Sequence, residues 1–360
     1  MATVVRDYSL TGPDSEAAVE AGLAQADWYQ TPIPRKRMKE LMRRSDGPAI
    51  RDTILWLGLM IVFATIGVVT WGDNWWISLA AFFCYGVLYG SGGDSRWHEA
   101  GHGTAFKTPW MNDVVYQIAC FCMMRNPTAW RWSHTRHHTD TIIVGRDPEI
   151  IAMRPPKLWK IIPNFLGIFD VPQSLWLMVK HATGRLTADE ADYIPESEQP
   201  KVSRVARIWL VIYAATVAAC FALGSILPLM VIGLPRMYGA WHHLMTGLTQ
   251  HGGLADNVLD HRLNSRTVYM NPISRFVYWN MNYHVEHHMF PMVPFHKLPE
   301  LHEEMKDDCV PASPSIASAF TEFAPVLVRQ LSDPEVFIDR RPQLALYSSD
   351  GSGNDTDDPS

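Results

Sequence analysis

Polar punctuation disappears from two neighbouring stretches of the chain. Ile54 to Thr70 has no charge and only Thr as a polar side chain. Gly72, Asp73 and Asn74 then signal a turn, and Trp75 to Gly90 is a second apolar run. Each sits at the short end of the roughly 17–25 residues that cross a ~30 Å hydrocarbon core. Together they predict a helical hairpin, with Trp71, Trp75 and Trp76 at the far interface, where aromatic belts lie. The bland alternative is the core hairpin of a soluble protein. A third stretch starts at Ile208 and runs past Leu234, too long for one crossing. Gly224, Ser225 and Pro228 offer a break, which predicts spans near 205–223 and 226–246. Arg236, His242 and His243 fall in the later turns of the fourth span, where a polar group is costly unless it faces protein or water. Val114 to Met124 is too short to cross, and Leu158 to Val179 carries Lys160, Asn164, Asp170 and Gln173. Both suit re-entrant or interfacial helices.

Charge orients these spans. Arg35, Lys36, Arg37, Lys39, Arg43, Arg44 and Arg51 precede the first one, and the Gly72–Asn74 turn has no basic residue. The N-terminus is therefore expected in the cytoplasm, and four spans return the C-terminus to the same side. The expectation is an all-α integral membrane protein, multi-pass, with four transmembrane helices and a cytoplasmic helical cap. It divides into a tail and basic segment (1–45), a membrane domain (46–310), a cytoplasmic extension (311–347) and a disordered tail (348–360). Residues 1–30 read as an acidic, loosely structured tail, and no apolar core near the start suggests a cleavable signal peptide. A net charge of −6 gives no basic excess that would suggest nucleic acid. Cys84, Cys120, Cys122, Cys220 and Cys309 form no CxxC pair and read as small hydrophobes.

Histidine carries the chemistry. His98 and His102 stand in HEAGH, His134, His137 and His138 in HTRHH, and His284, His287 and His288 in HVEHH. All three clusters fall between spans two and three or after span four, so they share one face of the membrane. Imidazoles three and four residues apart lie on one side of a helix, about 5–6 Å apart at Cβ. Neutral imidazole is the commonest nitrogen ligand of transition metals. Eight are too many for one tetrahedral ion, which takes about four, so the number suits a pair of metals. Nitrogen ligands with positions open to oxygen favour Fe(II) over Mg or Ca. HEAGH taken alone is also the HExxH pattern of a zinc metalloprotease, with Glu99 as general base. That reading needs one more protein ligand and leaves at least five clustered His idle. A His-lined metal transporter or sensor is the third possibility.

HEAGH, RWSHTRHH and NYHVEHHMFP resemble the three histidine boxes of the membrane fatty acid desaturase and hydroxylase superfamily, over roughly residues 50–310. The wording around the boxes (WRWSHTRHHTDT and NMNYHVEHHMFPMVPFHKLPELHEEM) looks most like a bacterial branch with rhizobitoxine desaturase and rhizopine-type oxygenases. The resemblance implies a non-haem di-iron oxidoreductase that uses O2 and two electrons to desaturate or hydroxylate an alkyl chain of a lipid or lipid-like substrate. It also implies a ninth ligand, for which Gln250-His251 matches the family's Gln-His pattern better than His243. His242 and His243 are otherwise a membrane-interface pair.

Metal-bound imidazoles usually donate their other N–H to a carboxylate or carbonyl. Asp94, Glu99, Asp140, Asp147 and Glu286 are near enough in sequence to accept, and Asn282 is either a water-mediated ligand or a helix cap. His181, His261, His296 and His302 stand singly among polar residues and suggest solvated or capping roles. Ser91-Gly92-Gly93 is expected to end the second span so that HEAGH can turn toward the site. There is no dinucleotide fingerprint, no HPGG haem motif and no Cys set for an iron–sulfur cluster. Electrons are therefore expected from a separate protein, a ferredoxin with its reductase or a cytochrome b5-like donor.

Overall fold

Near-continuous apolar composition with few helix breakers makes the first hairpin helical. The computed structural model describes residues 6–24 and 26–342; the tail expected over 348–360 lies outside them. Helices α1 (Pro13–Glu20) and α2 (Arg35–Leu41) precede α3 (Asp46–Val69), which is long enough at about 1.5 Å per residue to cross a bilayer. Asn74 caps α4 (Trp75–Gly101), its side chain accepting from the Ile77 backbone N–H at 3.2 Å.

Helix α4 does not stop at Ser91-Gly92-Gly93; it runs 27 residues, to Gly101 of the HEAGH motif, with His102 as its C-cap. The glycines serve close packing instead. A Cβ on Gly86 would lie 2.4 Å from the Tyr238 ring, one on Gly90 3.1 Å from the Gly239 carbonyl, and one on Gly92 2.7 Å from Trp56 Nε1. HEAGH is thus held rigidly at the end of the apolar hairpin.

Helix α5 (Pro109–Met123) packs along α4 and ends at Met124 in the left-handed conformation. Next comes α6 (Pro127–Thr139), capped by Asn126 and carrying HTRHH. The stretch from Leu158 to Val179 is α7 (Leu158–Ile161), a 3-10 turn (Pro163–Leu166) and most of α8 (Asp170–Ala182), broken at Gly167. The capping box of Thr187 and Glu190 opens α9 (Ala188–Tyr193). Then α10 (Gln199–Leu223) ends where expected, on Gly224 at φ +58°.

The fourth expected span is not one helix. Residues 226–246 fall into α11 (Leu227–Val231), α12 (Pro235–Tyr238) and the start of α13 (Ala240–His251). Ile232 is extended, Gly233 sits at φ +99°, and Pro235 cannot donate to a continuing ladder. Gly239 is pressed against the backbone of Gly86, where a side chain would not fit. Arg236 is buried here and pairs with Asp170, so the polar residue faces protein. Short helices α14 (His261–Asn264), α15 (Pro272–Val277) and α16 (His284–Met289) follow, and α17 (Leu298–Met305) and α18 (Ile316–Arg329) complete the chain. Among the described residues no strand forms, only the bridges Thr267–Tyr283 and Val268–Ser313.

Two helical stretches, Arg35–Val69 and Glu196–Leu223, are long and apolar enough to cross a membrane. Their outer faces leave large apolar side chains uncovered: Ile61 is 67 % exposed, Val211 69 % and Phe221 84 %. A soluble monomer seldom shows so broad an apolar face. The N-terminal segment is not loose. Leu10 and Ala18 are buried, Arg6 pairs with Asp256 and Glu335, and Tyr29 donates to Asp308 at 2.8 Å. The segment lies over the same end of the molecule as the histidines.

Candidate metal centre

Four elements deliver the imidazoles: the end of α4, helix α6, the last residue of α13, and α16. Nine rings meet there, in two groups. His98, His102, His134, His138 and His287 form one, and His137, His251, His284 and His288 the other, with the nitrogens of each group within 4.8 Å of one another. The groups abut, since the rings of His138 and His288 stack at 4.4 Å. His251, not His243, joins them.

The donor set fits metal ions. Asp147 Oδ2 accepts from His137 Nδ1–H at 2.8 Å, Glu149 Oε2 from His134 Nδ1–H at 3.1 Å, and the Asn264 carbonyl from His251 Nδ1–H at 2.7 Å. An acceptor on Nδ1 leaves Nε2 of a neutral ring with a bare lone pair. The Nε2 atoms of the cluster converge: His98 on His287 at 2.7 Å, His102 on His134 at 3.2 Å, His138 on His287 at 3.2 Å, and His284 on both His251 and His288 at 3.0 Å. Facing lone pairs repel unless a cation lies between them. Two nitrogens each about 2.1 Å from one ion lie about 3.0 Å apart at a right angle and about 3.4 Å apart at the tetrahedral angle. The observed spacings, from 2.7 Å to 3.2 Å, are short enough for neighbouring nitrogens to share one ion.

Burial favours the neutral form of eight of the nine rings. Burial, reinforced by neighbouring imidazoles, holds His98, His134, His138, His284 and His288 well below the ordinary histidine value. Burial pushes His102, His251 and His287 down to about 3. His137 goes the other way: burial disfavours its charge, but Asp147 and then Glu149 outweigh that and hold it above its usual value.

The carboxylates divide. Asp147 touches His137, and Glu99 Oε1 stands 3.3 Å from His287 Nδ1 without hydrogen-bond alignment. Burial raises Glu99 to about 7, and its other oxygen accepts from the Phe295 N–H at 3.1 Å. Asp94 lies against His243 at 3.0 Å and Trp97, Asp140 pairs with Arg136 and Arg146, and Glu286 binds His302 and Thr267. These three do not touch a box imidazole. The side-chain N–H of Asn282 donates to the Val268 carbonyl at 2.8 Å, and its oxygen is buried without a partner.

Sequence reasoning missed Glu149, Thr141 and Asn264. Thr141 Oγ1 lies 3.2 Å from His288 Nδ1. Asp147-Pro148-Glu149 was the available signal, since Asp147 and Glu149 bracket a proline just past the second box. Three of the four isolated histidines are not solvated: His181 pairs with Glu190, His302 with Glu286, and His261 is buried beside His288, while His296 is half-buried. Next to the rings is a cavity of about 360 Å³, lined in part by Trp97, Trp130, Arg125, Gln173 and His243.

Nine converging imidazoles in two groups, on a helical scaffold, make a site that fits metal ions. The family profile of fatty acid desaturases matches residues 73–320, and the chain belongs to that family and with it to the oxidoreductases. It is 22 % identical over 318 residues to the acyl-lipid omega-3 desaturase (cytochrome b5) of the endoplasmic reticulum of Arabidopsis thaliana, covering 81 % of this chain and 76 % of the relative. It is 23 % identical to a chloroplastic omega-3 fatty acid desaturase of Ricinus communis, covering 83 % of this chain and 65 % of that one. A temperature-sensitive sn-2 acyl-lipid omega-3 desaturase (ferredoxin) from Arabidopsis chloroplasts is 24 % identical, over 68 % of this chain and 60 % of the relative.

Proposed function

We propose that the chain is an O2-dependent, non-haem di-iron oxidoreductase that desaturates or hydroxylates an alkyl chain of a lipid or lipid-like substrate. The observation that carries this reading is the convergence of imidazole nitrogens from nine histidines in two abutting groups. His98, His102, His134, His138 and His287 would hold one iron, and His137, His251, His284 and His288 the other. Bound iron supplies O2 activation and the redox capacity to break an unactivated C–H bond. The protein's part is positional. Asp147, Glu149 and the Asn264 carbonyl fix ring orientation and tautomer, while Glu99 lies beside His287 and accepts from the Phe295 N–H. The cavity beside the rings is where the reacting carbon would be held, and a small displacement there decides the fate of the substrate radical.

Residues 46–310 form the desaturase-like unit in this proposal, preceded by the N-terminal segment and followed by the extension over 311–347. The hairpin of α3 and α4, helix α10 and the broken α11–α13 segment would embed in the membrane, with both termini and the histidines on the cytoplasmic side. Uncovered apolar faces on α3 and α10 and the basic residues before α3 support that placement. Electrons would come from a separate carrier, as the names of the ferredoxin- and cytochrome b5-linked relatives suggest. The zinc-protease reading has no use for His137, His251, His284 and His288, which form a complete group of their own.

Metal analysis of the detergent-purified protein tests the proposal. About two irons per chain are expected from this ligand number, with loss in His137→Ala and in His287→Ala, and O2-dependent conversion of an acyl lipid. One zinc per chain, retained in both variants, would overturn it. Single cysteines placed at Asp73 and Ser332 should label from opposite sides of sealed vesicles, and labelling from one side would refute the crossing.

A further inference from the structure

We propose that Trp28 and His261 form the path by which electrons from a carrier protein enter the metal centre, an inference that rests on the di-iron reading. The two rings stack almost face to face, with centroids 4.2 Å apart and planes 4° from parallel. His261 is 2 % exposed, and its ring lies 5.2 Å from that of His288 in the four-histidine group. Trp28 is partly exposed, so two ring contacts join the protein surface to a metal-ligating position.

The arrangement is built, not incidental. Trp28 Nε1 donates to the Thr139 carbonyl at 3.1 Å, at the end of the helix that carries the second box. The next residue, Tyr29, donates its backbone N–H to the Leu259 carbonyl at 2.9 Å, and the Arg262 guanidinium lies 3.5 Å over the Tyr29 ring. Both sides of the stack are therefore pinned. His261 Nδ1 is buried without a partner, although burying a polar atom that way has a cost. The other aromatic chain at the site, Trp97 against His98 and His134 with Trp130 behind it, ends on the wall of the cavity. A carrier protein cannot dock inside that cavity.

Electron tunnelling weakens exponentially with the gap between donor and acceptor, so stacked rings at van der Waals contact favour one route over others of similar length. A carrier docked over Trp28, a reduced iron–sulfur or haem protein, gives up one electron and is oxidised by one. One ferric ion is reduced to ferrous in the same event, and a second encounter delivers the second electron. No bond forms or breaks, and the two rings end as they began. Trp28 and His261 thus act through His288 and are relay residues, not ligands.

The test uses the full chain loaded with iron, without substrate and without O2, so that reduction is followed apart from turnover. Oxidised wild type, Trp28→Leu, Trp28→Phe and His261→Leu are mixed with reduced plant-type ferredoxin, with reduced soluble cytochrome b5, or with the methyl viologen radical. The iron content of each variant is measured in parallel. For the better protein donor, the limiting reduction rate should fall about tenfold in both Leu variants, a loss of about 1.4 kcal/mol in the rate barrier. Half-saturation by the donor should not move, Trp28→Phe should recover most of the rate, and viologen should reduce every variant alike. Wild-type rates in the Leu variants would overturn the proposal. So would equal slowing by all three reductants with loss of iron, which would make the stack a structural clamp. Failure of wild type itself to hold iron would instead sink the di-iron reading beneath it.

Discussion

Asp140 and Asp147 both follow the second box closely, yet only one orients an imidazole. Helix α6 ends at Thr139, and the turns after it bring Asp147 back under His137 and Glu149 under His134. Asp140, also buried, pairs with Arg136 and Arg146 instead. Losing an orienting partner typically weakens metal binding about 10–100-fold, so Asp147→Ala should release metal to a chelator at that much lower chelator concentration. Asp140→Ala should hold its metal as wild type does; the opposite order in a chelator titration would contradict the geometry. The eight box histidines were legible because spacings of three and four project onto one helix face. Glu149, Thr141 and Asn264 were not, because turns and tertiary approach, not periodicity, bring them to the rings. Asp94, Asp140 and Glu286 show the same limit in reverse: nearness in sequence did not make them partners.

At the scale of elements, the apolar runs gave the helices, and small residues decided where they stop. Gly224 ended α10 as its position suggested, but Ser91-Gly92-Gly93 did not end α4. A glycine is a stop signal where it takes a left-handed conformation and a packing notch where it stays helical, and sequence alone does not distinguish the two. The broken fourth segment packs into that notch: Tyr238 and Gly239 lie against Gly86 and Gly90. Gly86→Val would place a side chain in the Tyr238 ring. Overpacking of this kind costs about 1–3 kcal/mol, so the thermal midpoint in detergent should fall. The double variant Gly86→Val/Tyr238→Ala should recover part of the loss, because the ring that clashes is gone. A Gly86→Val protein that melts with wild type would show that the notch is not tight.

Across the whole molecule the two histidine groups are interlocked. Helix α6 gives His134 and His138 to one group and His137 to the other, and α16 divides His287 from His284 and His288 in the same way. The HEAGH end of α4 serves only the five-membered group, and His251 only the four-membered one. Metal binding would therefore tie the apolar hairpin, the α6 segment, α13 and α16 into one cooperative unit. A ligand that binds only the folded state at a hundred times its dissociation constant adds about 2.7 kcal/mol per site, about 5 kcal/mol for two. Complete chelation should then lower the unfolding midpoint. His251→Ala, which touches one group alone, should lose about one ion and roughly half of that stabilisation. Calorimetry with parallel metal analysis checks this. Simultaneous loss of both ions in His251→Ala would mean that the groups cannot be loaded separately, and an unchanged midpoint after chelation would mean that the ions do not hold these four elements together.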